Sequence, residues 1–222
     1  MLPQSSSLTC YYFRAEGELH IALPPLTAEE RFDRLRICAG LLQRSNKESL
    51  LSRLVTCGEK WILYDTEKRT ARCIDERDLT KEMKPHYKLQ LLTVWWSAAG
   101  LIHYNFFKGP LTSASYCQEL LNMHKKLLKY QKAMFYGRCP VLLQDDSRSY
   151  VKDGSIRSLF TLGYEVLTYP SRSQDLLPTE FHIFPAFNNF LAEQTFDCEN
   201  IEGAFENFLR SRATAFFQCW HG

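Results

Sequence analysis

Two runs, Pro140-Val-Leu-Leu-Gln-Asp-Asp146 and Ser173-Gln-Asp-Leu-Leu-Pro-Thr-Glu-Phe-His-Ile-Phe184, bracket the segment whose reading decides the fold. In the first, Val141-Leu-Leu143 is apolar throughout, the character of a central strand buried on both faces, and the run delivers Asp145 and Asp146 at its end. The second sets Glu180 directly behind Thr179, a residue able to cap a helix. Thirty-four residues lie between Asp145 and Glu180. They read as a helix over 155–162, a stop at Gly163 and a short strand over 164–167. A carboxylate at a strand end and another at the start of a helix, bridged by one α/β unit, can converge on one metal ion.

Working outward, Thr27 followed three residues later by Glu30 is a capping box, and Leu35, Cys38, Leu41 and Leu42 continue a helical stripe to about residue 45. Strands are expected over 54–64, 89–96 and 101–107, the last two joined by the turn Ser97-Ala-Ala-Gly100, so the first half reads as an antiparallel meander. Residues 66–86 are polar and read as an exposed excursion. Thr112 or Ser113 starts a long helix through Leu128. Beyond Glu180, Pro185 falls several residues inside an expected helix and should kink or shorten it. A final helix spans 200–212. This order fits an α/β fold with helices on both faces of a five-stranded mixed sheet, the order of an RNase H-like fold.

The bulk properties narrow the classes. A chain of 222 residues forms one domain with at most an appendage. A net charge of +2 does not by itself announce a nucleic-acid binder, although Lys125, Lys126, Lys129 and Lys132 form a local basic series. The eight cysteines show no C-x₂-C or C-x₄-C pair, so a zinc site is not expected, and thiols in a reducing compartment are the simplest reading. Met-Leu-Pro-Gln-Ser-Ser-Ser lacks the charge and apolar core of a secretory signal. The longest apolar stretch, 91–102, is too short to span a bilayer, so no membrane role is expected.

Four motifs carry a resemblance: Glu59-Lys-Trp-Ile-Leu-Tyr-Asp65, Val94-Trp-Trp-Ser-Ala-Ala-Gly-Leu-Ile-His-Tyr104, Leu162-Gly-Tyr-Glu-Val-Leu167 and Ser173-Gln-Asp-Leu-Leu-Pro-Thr-Glu-Phe-His182. Over 22–217 the chain resembles the catalytic domain of mariner transposases of the Tc1/mariner superfamily. The likeness is greatest to mammalian irritans-type elements and to the transposase half of a SET-methyltransferase–mariner fusion protein. The resemblance implies an RNase H-like three-layer fold and two Mg²⁺ ions held by three Asp residues. In that scheme one ion makes the nucleophile and the other stabilises the leaving oxygen during DNA cleavage and strand transfer. It also implies DNA as partner, a nuclear location and a possible homodimer. The domain layout that follows is a tail and linker over 1–26, a linker helix over 27–52, the catalytic domain over 53–217 and a truncated tail over 218–222.

Carried over position by position, the family's first Asp falls on Gly58, within Thr56-Cys-Gly-Glu-Lys-Trp61. The second matches Asp145, and the third is Glu180. The expected metal ligands and catalytic residues are therefore Asp145 and Glu180, with the first ligand lost at Gly58, and one Mg²⁺ or none is expected here. Glu59 points to the opposite face of its strand and Asp65 lies too far along it to substitute. The family's paired helix-turn-helix modules have no counterpart in these residues. Cleavage is thus expected to be impaired, and the other reading is a domesticated or decayed DNA-binding or dimerisation domain without nuclease activity. Lys125, Lys126 and Arg148 are candidate DNA contacts. Trp95 and Trp96 are either a base-stacking platform or core, and His182 either assists Glu180 or is a partly buried histidine.

Overall fold

The computed structural model describes residues 26–48, 50–74, 85–131, 138–145, 153–193 and 201–218. Helix α1 (Ala28–Ser45) opens with the expected capping box: Glu30 N–H donates to Thr27 Oγ1 at 3.2 Å, and Thr27 N–H donates to Glu30 Oε2 at 2.7 Å. A 3₁₀ turn (Leu51–Arg53) leads into β1 (Leu54–Asp65), which hairpins into β2 (Thr70–Ile74). Then come β3 (Tyr87–Ser97), β4 (Gly100–Phe107), α2 (Ser113–Tyr130), β5 (Val141–Leu143), α3 (Asp153–Thr161), β6 (Glu165–Val166), α4 (Phe184–Ala192) and α5 (Ile201–Arg210). Gly100, at φ +120°, makes the tight β3–β4 connection that a residue with a β-carbon would resist.

The mixed sheet runs β4-β3-β1-β5-β6, with β2 paired to β1. It has six strands among the described residues, where five were expected. The addition is β2, hidden in a polar stretch whose inward-facing Ala71 and Cys73 are buried while Thr70 and Arg72 face out. Asp65 fixes the hairpin by accepting the backbone N–H groups of Glu67 and Lys68 at 3.0 and 3.1 Å. This is a turn-forming role.

Alternation along the central strands divides the core. On one face Ile62, Leu92, Val94 and Trp96 pack against Phe184, Phe187, Phe205 and Phe208 of α4 and α5. On the other, Val55, Trp95 and Leu142 pack against Leu120, Met123 and Leu127 of α2 and Leu159 of α3. The result is three layers, helices on both faces of a sheet, as the sequence implied. Trp95 and Trp96 are adjacent, so they enter opposite faces, and both are fully buried. Neither offers a base-stacking platform.

The expected kink at Pro185 is replaced by a different device. Thr179–Ile183 forms a π-helical turn and α4 begins at Phe184, which puts Pro185 in the first turn of the α-helix. The α-helix proper is thus shorter than the sequence implied, beginning at Phe184 after a turn in which the Phe184 N–H bonds the Thr179 carbonyl. Thr179 does not cap. Its Oγ1 accepts the buried indole N–H of Trp96 at 3.0 Å.

Candidate active site

Strand β1 is flanked unevenly. On one edge β3 pairs with it from Val55 to Asp65. On the other, β5 pairs with Leu54–Thr56 and β2 with Trp61–Asp65. Residues 57–60 thus lack a neighbouring strand on that edge among the described residues. A small cleft, open to solvent, forms at this gap. Gly58, Asp145 and Glu180 all line it, with Glu59, Cys57 and Gln144. The three positions that the sequence comparison singled out are therefore brought together: Gly58 in mid β1, Asp145 just past the end of β5, and Glu180 on the π-helical turn. Gln144, where the mariner motif has a histidine, is buried and accepts the Tyr116 hydroxyl through its Oε1.

The place of Gly58 is filled from across the sheet. A β-carbon there would lie 2.7 Å from both Cβ and Cγ2 of Thr179 and 3.2 Å from Phe184 Cε2. Glu180, only 4 % exposed, accepts a hydrogen bond from Lys60 Nζ at 3.0 Å, and the Lys60 side chain is 11 % exposed. Lys60 follows Gly58 by two residues and so projects from the same face of β1. Burial, and after it the negative charges of Asp145, Asp175 and Glu180, push the Tyr169 phenol far above its ordinary range, which marks the region as acidic.

Three carboxylates holding two Mg²⁺ ions do not fit this arrangement. Position 58 has no side chain and no room for one. Glu180 is paired with an ammonium group. Although Glu59, Asp145 and Glu180 share the cleft, no three His, Cys, Asp or Glu side chains among the described residues come together as a metal site needs. Hard-cation sites require several converging oxygens.

The remaining candidates scatter. Lys125 and Lys126 are exposed on α2, on the helical layer, and Lys126 Nζ donates to His103 Nδ1 at 2.8 Å. The other imidazole nitrogen of His103 meets buried Glu119 at 2.9 Å. His182 turns away from Glu180. Its Nε2 bonds the Phe216 carbonyl at 2.6 Å, and its ring lies against Phe216 and Trp96. Burial lowers its pKa, partly opposed by that hydrogen bond. Arg148 and Asp146 lie outside the described residues. Sequence reasoning missed Lys60 and Thr179. Strand alternation from Gly58 could have found Lys60, but nothing local announces Thr179. No helix among the described residues is long and apolar enough to cross a membrane.

Comparison with known proteins identifies relatives of the chain. The family model described as "Transposase (partial DDE domain)" matches residues 63–135. The chain is 41 % identical over 198 residues to the human histone-lysine N-methyltransferase SETMAR, covering 86 % of this chain and 29 % of that protein. It is 32 % identical over 199 residues to the Mariner Mos1 transposase of Drosophila mauritiana, covering 85 % of this chain and 56 % of that protein. It thus spans well under two thirds of either relative. Among solved structures, the Mos1 catalytic domain with Raltegravir and Mg superposes with TM-score 0.74 at 27 % identity, covering 88 % of this chain and 90 % of that one. The Mos1 paired-end complex with left transposon end gives 0.75 at 27 % identity, covering 91 % and 61 %. The chain belongs to the mariner transposase catalytic-domain family.

Proposed function

We propose that this domain keeps the mariner scaffold to hold DNA and to pair with a second copy, while strand cleavage is impaired. The observation that carries the reading is the loss of the first ligand position, with Thr179 standing where a side chain at 58 would go. Mos1 structures with Mg and with a transposon end support divalent-metal chemistry and DNA binding in that relative. For this chain, Asp145 and Glu180 are the remaining ligand candidates, and two carboxylates without the third supply too little charge to hold both ions. The DNA reading rests on descent and on exposed Lys125 and Lys126. It carries no expectation of transposon-end specificity, and it makes the nucleus the site of action.

Pairing has its own observation. Helix α1 buries none of its side chains, and Phe32, Leu35 and Leu42 are 66 %, 69 % and 66 % exposed. With Ala39 they recur at the three- and four-residue spacing of a helix seam. The opposite face is tied to the domain by Arg34 to Asp175 and Arg44 to Glu165.

The test is fluorescence anisotropy with a labelled duplex over a salt series. Binding should weaken steeply with salt and show little sequence preference. Lys125→Gln should flatten the slope of log affinity against log salt by about 0.9, the effect of one released counterion. A salt-independent slope, or affinity confined to transposon ends, would contradict the reading.

A further inference from the structure

We propose that Lys60 is the resident cation of this cleft: its ammonium group, in place of a divalent ion, neutralises the buried carboxylate of Glu180. A carboxylate that is 4 % exposed stays ionised only with a positive partner and satisfied hydrogen bonds. In a metal-dependent site the ion supplies that charge. Here Lys60 Nζ lies 3.0 Å from Glu180 Oε2, itself largely buried, on the strand position next in register to the lost ligand.

Three packing features hold the pair in place. The π-helical turn Thr179–Ile183 carries Glu180, and its first residue rests on the bare backbone of Gly58. The Trp96 indole fixes the Thr179 hydroxyl. Phe184, which closes the turn, packs into the sheet beside Ile62 and Val94. The turn lies close against β1 because position 58 is glycine, and that approach sets Glu180 beside Lys60, a residue of the mariner-like Glu59-Lys-Trp61 motif.

The inference deepens the impaired-cleavage reading, but the two fail separately. Nicking by the wild-type protein would sink that reading, whereas a Lys60→Met protein as stable as the wild type would sink this one. The experiment is thermal unfolding of the whole chain as wild type, Lys60→Met, Lys60→Arg and Lys60→Met/Glu180→Gln, with wild type also melted in about 1 mM MnCl₂. Breaking a buried pair from one side should lower the melting temperature of Lys60→Met by about 10 °C. Lys60→Arg should recover most of the loss. The double variant, which has no charge left to neutralise, should melt well above Lys60→Met. Failure of Lys60→Met alone to fold, with the other two folded, supports the same conclusion. Mn²⁺ should leave the wild-type melting temperature unchanged, since a ligand that binds the folded state raises it. The proposal is overturned if the double variant is as damaged as the single, because Lys60 then acts through packing. It is equally overturned if Mn²⁺ stabilises the wild type and Glu180→Gln abolishes that gain.

Discussion

A methyl group at position 58 has nowhere to go. It would sit 2.7 Å from Cβ and Cγ2 of Thr179, atoms close to the backbone of a turn and anchored by Trp96, and 3.2 Å from the Phe184 ring. Gly58→Ala should therefore destabilise the domain by about 1–3 kcal/mol in urea unfolding, the usual cost of overpacking. An unchanged midpoint would show that the turn yields freely. A second buried group sets a pH dependence. Burial alone would raise the Glu119 pKa, yet hydrogen bonds from His103 and Asn105 bring it below the ordinary value. Its folded pKa is thus lower than its unfolded one, near 4.3. The stabilisation it gives is whole above that pH and is lost as pH falls through the folded value. Glu119→Gln should accordingly lower stability at pH 7 and flatten the loss of stability below about pH 4.3, as read from melts across the acid range. An acid limb as steep as in the wild type would assign the sensitivity to other carboxylates.

Among the elements, β1 was the most legible. Its β-rich ends and the apolar partners at 89–96 and 101–107 announce a meander, and its alternation assigns Gly58 and Glu59 to different faces. Strand β2 was not legible, because a five-residue strand with one large apolar side chain, Ile74, resembles a polar loop. Nor was the π-helical turn. Periodicity read Thr179 onward as one α-helix, and Pro185 then looked disruptive, whereas the turn ends where proline is tolerated. Helix α1 was read correctly as a capped helix, but sequence alone could not say that Phe32, Leu35 and Leu42 would stay exposed while Leu41 packs against the core. If that stripe pairs two copies, Leu35→Glu with Leu42→Glu should shift the sedimenting species from dimer to monomer while leaving the melting temperature nearly unchanged, since neither side chain is buried. A wild-type monomer at high concentration would remove the role assigned to α1.

At the scale of the whole molecule, apolar runs and motif order were enough to reach the three-layer fold, because burial on two faces constrains every strand. Spacing suggested that Asp145 and Glu180 converge, and the family resemblance added position 58; the structure brings all three to one cleft. The Lys60–Glu180 pair was beyond reach, since its members lie 120 residues apart and meet only once the turn has settled on β1. That pair, the filled space at Gly58 and the lack of a carboxylate at that position all bear on one question: whether the scaffold still cuts DNA. The most direct measurement is relaxation of supercoiled plasmid by the purified wild-type chain in Mg²⁺ and in Mn²⁺, beside Glu180→Gln. The account predicts that wild type and Glu180→Gln are indistinguishable from buffer in either metal. Metal-dependent nicking by the wild type that Glu180→Gln abolishes would contradict it.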